Sequence, residues 1–502
     1  MTSTISTHAL TRPPRRPPPP RTRRAPCRTI DREVPTGSAR VLHPTTITSL
    51  DEYRAVGGLA GLRAAAERHP SEIIDRILDA GLRGRGGAGF PTGRKWQTVA
   101  TNALGTSPST VVVNGAEGEP GTFKDRSILR RNPYQVVEGA FVAARAVHAD
   151  RVIIALKHSF AGEVARTRAA LDEMRAANVL PDTIRCSVFE GPDEYLYGEE
   201  TALLETIDGR GPFPRVVPPF RVGLRGHDPW RPVGDGPALV NNVETIANVP
   251  QIVARGAHWF DAVGTPGSAG TVVCTVTGQL QRDDVGEFPM GTPLRHVLDH
   301  LGGGAVPGTT VKAVLSGVAN PLILGDQLDV PVSHEGMKGI GCGLGSAGFM
   351  VFAEPTDMVA VAAGVARFLS IESCGQCTPC KTDGTTLYEL LARLAASNAA
   401  ATDFDEIEHR INTVAYGARC NLGIQQETVL ASILDNFRDE FEAHLSGAAP
   451  GAAPIYIAEL ADLCDGSAVV DDHHLGKQPD WTYGLRTSGA TPADLRHRYR
   501  VP

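Results

Sequence analysis

The sequence predicts an α/β protein with a parallel sheet, followed by a small β-rich domain and a C-terminal helical bundle. Three regions of different character indicate this order. Strands and helices alternate between about residues 110 and 207, short strands dominate from 270 to 325, and segments from 355 to 445 have helical periodicity. Alternating strands and helices imply a parallel sheet with right-handed crossovers. Helices with short connections indicate a bundle.

The individual elements follow from hydrophobic spacing and from β-branched runs. Residues 50–80 have the 3.6-residue period of helices, which Gly81 ends. The alternating region contains predicted strands at 110–113, 151–156 and 183–189, and helices at 133–148, 162–178 and 198–207. The bundle contains four predicted helices, at 355–370, 385–397, 403–416 and 425–445. Residues 211–236, rich in Pro, Gly and Arg, predict a long functional loop.

Composition and charge exclude several classes of protein. The chain has 502 residues, 42% apolar and 21% charged, which is ordinary for a globular protein of two to four domains. The most apolar stretch, 358–371, is interrupted by Gly364, Arg367 and Ser370, so we expect no membrane-spanning helix. The net charge is −7, and because residues 1–40 carry a net +7, the rest carries −14. An acidic body argues against nucleic acid as the main partner.

Both ends of the chain are expected to lie outside the domains. Residues 1–45 are rich in Pro and Arg, with four consecutive prolines at 17–20, and we predict a disordered tail. This segment lacks the apolar core of a secretory signal. Residues 447–502, rich in Ala, Gly and Asp, match no motif, and we expect a second tail that either docks a partner or trails.

The cysteine pattern is the most specific chemical signal. Three of the nine cysteines, Cys374, Cys377 and Cys380, have C-x2-C-x2-C spacing, and Cys420 follows forty residues later. Three thiolates at this spacing can wrap an iron-sulfur cube, and a remote fourth completes its ligation. Zinc is the alternative, although zinc sites usually use paired C-x2-C units separated by a longer loop. The pattern therefore favours a cluster in a reducing compartment.

A glycine-rich motif precedes the first predicted strand. It runs from Gly84 to Trp96 and contains G-x-G-x-x-G, but it follows a helix, so it is not a regular dinucleotide fingerprint. A backbone without side chains still lets a flat or phosphorylated ligand approach closely, and Lys95 could meet a phosphate. A glycine-rich turn without a ligand is the alternative.

Polar segments follow the predicted strands. They are 114–126 after the first strand, 195–202 after the third, and a separate cluster at 241–245. Ligands of open α/β sheets bind at the carboxyl ends of the strands, which favours a binding site here. Solvated loops and helix caps are the simpler alternatives.

Together these motifs resemble the flavoprotein subunit of respiratory complex I and of related NAD-linked hydrogenases and formate dehydrogenases. The resemblance runs from about Tyr53 to Leu445. It rests on six segments, 84–96, 119–126, 198–205, 241–245, 343–348 and the cysteine motif. It implies an FMN- and NADH-binding domain over 46–260, a β-grasp domain over 265–335, and a four-helix bundle over 350–446 that carries a [4Fe-4S] cluster.

The resemblance also implies individual site residues. FMN contacts would come from Gly84, Gly86, Gly87, Lys95, Asn114, Glu199, Asn242 and Thr245. NADH contacts would come from Phe90, Glu117, Tyr195, Glu200 and Phe220, and cluster ligands from Cys374, Cys377, Cys380 and Cys420. Hydride would pass from NADH to FMN and single electrons to the cluster. If Glu117 faces the adenosine ribose, its charge would repel a 2'-phosphate and favour NAD over NADP.

The implied activity is that of an NADH dehydrogenase subunit that passes electrons to a complex I, hydrogenase or formate dehydrogenase system. A thioredoxin-like [2Fe-2S] subunit and further iron-sulfur subunits would be its partners, in the cytoplasm or on the cytoplasmic face of a membrane complex. The chain departs from the family pattern at Thr98, Ala116, Gly118, Tyr197 and Val217. These departures leave a second hypothesis open, a divergent paralogue that keeps the cluster as an electron conduit or scaffold without oxidising NADH.

Overall fold

The computed structural model describes residues 40–103, 108–224, 236–479 and 481. The predicted disorder of residues 1–39 therefore lies outside the described residues. The predicted boundary at residue 46 is too late, because Val41 and Leu42 are buried in the core of the first domain. Their backbone N–H groups donate to the carboxylate of Glu287, which anchors this entry segment.

The first domain contains a four-stranded parallel sheet in the order β3-β2-β1-β4. The strands are β1 Ser109–Gly115, β2 Ala149–Lys157, β3 Arg185–Gly191 and β4 Ala238–Asn242. Burial on both faces explains the continuous β-branched runs from which the sequence predicted the first two. The parallel sheet is thus confirmed, and β4, which the sequence analysis treated as a polar cluster, is an additional strand.

Helices cover the faces of this sheet. They are α1 Leu50–Ala55, α2 Ala60–Ala66, α3 Pro70–Asp79, α4 Thr92–Ala103, α5 Lys124–Arg131, α6 Pro133–Ala146, α7 Ala161–Ala176, α8 Glu200–Ile207, α9 Val243–Arg255 and α10 Ala257–Asp261. A 3-10 turn, Tyr195–Gly198, precedes α8. The carboxyl ends of β1 and β4 therefore meet the N-terminal ends of α8 and α9 at one edge of the sheet.

The second domain is a small mixed sheet in the order β10-β9-β11-β7-β8. A short hairpin, β5 Gly264–Thr265 and β6 Ser268–Ala269, leads into it. Its elements are β7 Thr271–Gly278, β8 Asp284–Pro289, α11 Leu294–Gly302, β9 Val311–Ser316, β10 Ile323–Leu324, α12 His334–Gly339 and β11 Gly348–Ala353. The parallel pair of β11 and β7 is flanked by antiparallel neighbours, and α11 packs on β7 and β8.

The helical region has five helices where the periodicity predicted four. They are α13 Met358–Glu372, α14 Thr378–Ala395, α15 Ala401–Thr413, α16 Leu422–Asn436 and α17 Arg438–Leu445. The predicted helix over 425–445 is wrong, because the backbone leaves helical geometry at Phe437. The break lets Glu440 on α17 accept a hydrogen bond from the N–H of Met358, 2.8 Å away, at the start of α13. Neither Gly nor Pro marks the break, so the local sequence does not signal it.

The segment after α17 packs across the body of the protein instead of trailing. It includes β12 Leu460–Cys464, β13 Ser467–Val470 and a short helix α18 His473–Gly476. We call residues 452–477 the C-terminal strap. Ile457 is buried in the core of the bundle and Leu460 in the core of the first domain, three residues further on. The apolar residues of this segment explain why it is not a tail.

Across the part of the chain that the structure describes, no helix is both long enough and apolar enough to span a membrane.

Candidate functional site

The four motif cysteines line one cavity at the end of the bundle. Cys374 and Cys377 lie in the loop between α13 and α14, Cys380 in the first turn of α14, and Cys420 just before α16. The wall of the cavity also includes Leu196, Pro214, Ser373, Gln376, Ala418, Arg419, Leu422 and Gly423. The structure therefore brings together thiols that lie up to 46 positions apart in the sequence.

The protein environment alone disfavours ionisation of Cys374, Cys380 and Cys420. Burial raises the pKa of Cys374 and of Cys420, and it raises the pKa of Cys380 to about 12. Neighbouring cysteines add to each shift by charge repulsion. Since thiolates are the metal-binding form, four thiols around one cavity, two of them buried and two half-buried, fit a cationic centre that would offset this cost.

Neighbouring side chains contact the sulfurs of the cavity. Two hydrogen bonds reach the sulfurs, from Gln376 Nε2 to Cys374 Sγ at 3.5 Å and between Ser373 Oγ and Cys380 Sγ at 3.3 Å. Such contacts are among those that tune the reduction potential of a cluster.

The glycine-rich loop lies over the carboxyl end of the parallel sheet. The N–H of Arg85 donates to Thr245 Oγ1 at 2.9 Å, and a Cβ at Gly86 would lie 3.1 Å from the side chain of Asn242. Gly87 has φ +115°, which side chains rarely adopt, and it pairs with Gly345 of the second domain. The loop thus presents bare backbone beside the ends of β1 and β4, as a site for a flat ligand requires.

Four predicted ligand contacts have accessible side chains: Lys95, Glu200, Phe90 and Phe220. Lys95 Nζ lies 2.6 Å from Glu200 Oε2, and the two side chains are 25% and 39% exposed. Phe90 is 55% exposed, and Phe220 is 36% exposed on the long loop. The remaining residues of that loop, 225–235, lie outside the described residues. Phe90 and Phe220 are therefore accessible to a ligand, and Lys95 and Glu200 are partly accessible as an ion pair.

Three other predicted FMN contacts have side chains already engaged by the protein. The amide of Asn114 donates to Gly198 O at 2.8 Å and accepts from the N–H of Ala116 at 3.1 Å. The amide of Asn242 accepts from Lys124 Nζ at 3.0 Å and donates to Asp125 Oδ2 at 2.5 Å. Thr245 is fully buried. The side chains of Asn114 and Asn242 therefore stabilise the sheet edge through hydrogen bonds within the protein.

Glu199 caps α8 at the same edge. Its Oε2 accepts from the N–H groups of Thr201 and Ala202 at 3.0 and 2.8 Å. Burial raises its pKa, and these hydrogen bonds oppose the shift. One carboxylate oxygen is therefore committed to the helix terminus, and Oε1 is the atom left for a ligand.

Glu117, predicted to contact NADH, has a buried carboxylate that is bonded within the protein, and its contact with the nucleotide stays a prediction. Glu117 is only 7% exposed, and it accepts from the N–H of Asp125 at 2.9 Å and from Arg126 Nε at 3.3 Å. The carboxylate beside Tyr195 is that of Glu119, which accepts from the Tyr195 hydroxyl at 2.6 Å and from the N–H of Val318 at 2.6 Å. Because the chain turns after Glu117, the Glu117 side chain faces the start of α5, whereas the Glu119 side chain faces the second domain.

The turn Tyr195–Gly198 is shared by the sheet edge and the cysteine cavity. Leu196 lines the cavity, and Gly198 O accepts from Asn114 at the end of β1. The Tyr195 ring packs edge-on against Phe368 of α13, with ring centres 5.3 Å apart. The sheet edge and the cysteine cavity, which were predicted from separate motifs, are therefore both in contact with one short turn.

Sequence reasoning missed several residues of this arrangement. Glu119, Lys124 and Asp125 lie inside a motif that the sequence analysis singled out, but nothing in the motif told which side chains face the sheet edge. Leu196 and Gln376 also lie inside segments that the sequence analysis singled out, 195–202 and the cysteine motif, but nothing in the sequence marked them as part of the cavity wall. Gln376 Nε2 also donates to Pro214 O at 3.1 Å, which ties the cysteine loop to the long loop that carries Phe220.

Comparison with known proteins identifies both parts of this arrangement. The family model described as the Nuo51 FMN-binding domain matches residues 77–251, and that described as the NADH-ubiquinone oxidoreductase-F iron-sulfur binding region matches residues 360–444. The chain is 37% identical over 407 residues to the F 2 subunit of the NADH-quinone oxidoreductase of Rhizobium meliloti (strain 1021), a match that covers 79% of this chain and 94% of the relative. It is 35% identical over 405 residues to the HndC subunit of the NADP-reducing hydrogenase of Solidesulfovibrio fructosivorans, a match that covers 79% of this chain and 81% of that relative.

A solved structure has a similar fold. A chain of an NAD+-reducing [NiFe]-hydrogenase in the H2-reduced state is similar with a TM-score of 0.70 at 33% identity. The match covers 77% of this chain and 64% of that chain, so this protein spans somewhat less than two thirds of the hydrogenase chain.

Proposed function

The chain belongs to the family of the F subunits of NADH-quinone oxidoreductase, and on that premise we propose that it takes electrons from NADH at the sheet edge and delivers them through the cysteine cavity. The protein has an FMN-binding domain over 77–251 and a [4Fe-4S] binding region over 360–444. When bound, FMN accepts a hydride from NADH and the cluster takes up single electrons.

The observation that carries the proposal is the shared turn Tyr195–Gly198. Its Leu196 faces the cavity lined by the cysteines, and its Gly198 is bonded to Asn114 at the sheet edge. A flavin over the glycine-rich loop and a cluster in the cavity would therefore both lie next to this turn. A short path of buried protein supports electron transfer between the two sites.

The residues of the chain would bind and orient the groups. Cys374, Cys377, Cys380 and Cys420 would hold the cluster. The bare backbone of Gly86 and Gly87 would lie against the flavin, and Lys95 would leave Glu200 to meet its phosphate. Phe90, exposed at the rim, would cover the nucleotide and exclude water.

We also propose partners and a location. The relatives are named as subunits of quinone oxidoreductase and hydrogenase systems, which supports partner iron-sulfur subunits. Among these we propose a thioredoxin-like [2Fe-2S] subunit. A cytoplasmic location, at most on the face of a membrane complex, would keep the cluster thiols reduced.

The test is an anaerobic absorbance spectrum of the purified protein before and after addition of NADH, with flavin and iron quantified. We expect one FMN and about four irons per chain, and bleaching of the flavin by NADH. Protein that binds neither flavin nor iron would contradict the proposal.

The departures from the family pattern support a second candidate, a paralogue that conducts electrons without oxidising NADH. Thr98 lies on the exposed side of α4 with its hydroxyl bonded to Arg94 O, so no ring is available there, and Val217 offers no cation. Flavin and iron without bleaching by NADH would favour this candidate. Bleaching would exclude it.

A further inference from the structure

We propose that the C-terminal strap, residues 452–477, is a positioning element for electron transfer, in which Lys477 and His474 fix the Tyr195–Gly198 turn between the two sites. The iron-sulfur family match ends at residue 444, so the strap lies outside the matched region. The inference rests on the contacts of the strap with the first domain, the second domain and the helical bundle.

The strap crosses from the bundle to the first domain within a few residues. The N–H of Ile455 donates to Ala360 O of α13 at 2.9 Å, and a Cβ at Gly364 would lie 2.0 Å from Ile455 O. Leu460, 3% exposed, then enters the core of the first domain, where Leu460 O accepts from Arg126 Nη2. A strap this tightly packed on both sides restrains their relative position.

The strap also reaches the second domain. The N–H of Ala468 donates to Asp283 Oδ2 at 2.7 Å, and the N–H of Asp283 donates to Gly466 O at 2.9 Å. Residues 455, 460 and 468 thus contact three different parts of the fold within fourteen positions of the sequence.

A departure from the family pattern is explained by the strap. The carboxylate of Glu459 pairs with Lys157 at the carboxyl end of β2. A Cβ at Gly118 would lie 2.9 Å from Lys157 Nζ and 3.4 Å from Glu459 Oε2. The space that a larger residue at position 118 would occupy is therefore taken by the ion pair of the strap.

The end of the strap holds the turn between the two candidate sites. Lys477 Nζ lies 2.7 Å from Glu194 Oε2 and 2.6 Å from Glu372 Oε1. Glu372 Oε2 accepts from the N–H of Tyr195 at 3.0 Å, and its Oε1 lies 3.0 Å from His474 Nε2. One ammonium group thus fixes the residue before Tyr195 and the carboxylate that binds Tyr195 itself.

Aromatic packing reinforces this link. The ring of His474 stacks on Phe368 with ring centres 5.0 Å apart, and Phe368 packs against Tyr195. Arg367 Nη2 donates to His474 O at 2.7 Å and keeps the short helix α18 in place. Since Glu372 is 3% exposed in its side chain and is two residues from Cys374, loss of Lys477 would leave its charge without a cation next to the cysteine loop.

The first test is hydrogen-deuterium exchange of the full-length protein, measured on peptides that cover residues 192–200. We expect Lys477→Met to raise amide exchange in this segment about ten-fold, and Lys477→Arg to restore the wild-type rate. Lys338→Met removes an exposed lysine far from the strap and serves as the matched control. His474→Gln, which removes the stacked ring, should loosen the same peptides if Lys477→Met does not fold. Unchanged exchange in 192–200 in both variants would overturn the proposal.

The second test rests on the proposed function. After mixing with NADH, the interval between flavin bleaching and the reduced-cluster signal in electron paramagnetic resonance should lengthen about ten-fold in Lys477→Met. Faster exchange with an unchanged interval would overturn the positioning role and leave the strap merely structural. Wild-type protein that is not bleached would count against the proposed function alone, because the exchange test needs no NADH.

Discussion

Glu117 and Glu119 stand two residues apart, yet their carboxylates have different surroundings. Glu117 closes a buried network with Arg126, whose side chain is 2% exposed, whereas Glu119 meets Tyr195 at the sheet edge. Burial raises the pKa of both carboxyls, and hydrogen bonds from the neighbouring N–H or O–H groups oppose the shift. At the scale of single residues, the side of the backbone on which a carboxylate lies decides which part of the protein it contacts.

Glu117→Gln is therefore expected to lower the free energy of unfolding by about 1–3 kcal/mol, because the charge that faces Arg126 is lost in a buried site. The ratio of NADPH to NADH use should stay unchanged. Denaturant unfolding and steady-state rates with both nucleotides measure the two quantities. The control is Glu190→Gln, which removes an exposed pair with Arg168 and should change stability by less than about 0.5 kcal/mol. A clear gain in NADPH use would show that Glu117 contacts the nucleotide.

Cys377→Ser tests the cysteine assignment. Removal of one of four ligands should abolish the broad visible absorbance of the cluster and lower iron from about four per chain towards zero, while flavin stays bound at the sheet edge. Absorbance spectra with iron and flavin analysis give the result. Cys342→Ser is the matched control, since that buried thiol donates to Pro321 O at 3.1 Å and a hydroxyl can do the same. Full iron content in Cys377→Ser would refute its role as a ligand.

At the scale of elements, the glycine-rich loop shows how backbone conformation shapes the site. Gly87 has φ +115° and pairs with Gly345, so part of the contact between the loop and the second domain is made by backbone. In contrast, the backbone of Gly84 is compatible with a side chain, and a Cβ there would have ordinary contacts, the nearest at 3.6 Å.

We expect Gly87→Ala to cost about 1–3 kcal/mol of stability through backbone strain, and to lower the flavin content of the purified protein. Gly84→Ala should leave both nearly unchanged. Thermal unfolding and flavin quantification compare the two variants. Equal flavin content in both would mean that the conformation of Gly87 is not needed for binding.

At the scale of the whole molecule, His334 links the second domain to the glycine-rich loop of the first. A Cβ at Gly89 would lie 2.4 Å from the imidazole, so the ring rests directly on the loop backbone. Burial lowers the pKa of His334 from 6.5 to about 4, with Arg83 and Arg85 adding to the shift and Glu335 opposing it. The neutral ring is therefore part of this domain contact.

This predicts a pH dependence of stability. Because the folded pKa is below the unfolded one, the contribution is fully present above pH 6.5 and is lost as the pH falls towards 4. In the wild type, the free energy of unfolding should fall as the pH is lowered from 6.5 to 4. In His334→Gln this fall should be smaller by on the order of 2 kcal/mol, as measured by unfolding at pH 7, 6, 5 and 4. His409→Gln, at an exposed histidine of the bundle, is the control. Parallel pH profiles for wild type and His334→Gln would contradict the assignment.

The sequence by itself determined the parallel sheet, the helical region and the cysteine motif. Each of these leaves a local signal: β-branched runs for buried strands, a 3.6-residue period for helices, and C-x2-C-x2-C spacing for ligands within reach of one centre. The glycine motif likewise marked the loop over the sheet edge.

Only the tertiary structure decided the break at Phe437, the inward turn of Glu117 and the path of the C-terminal strap. Each depends on contacts between distant residues, such as Lys477 and Glu194, which are 283 positions apart. No local pattern encodes such a pair, because the free energy that selects it comes from burial and charge pairing in the assembled fold.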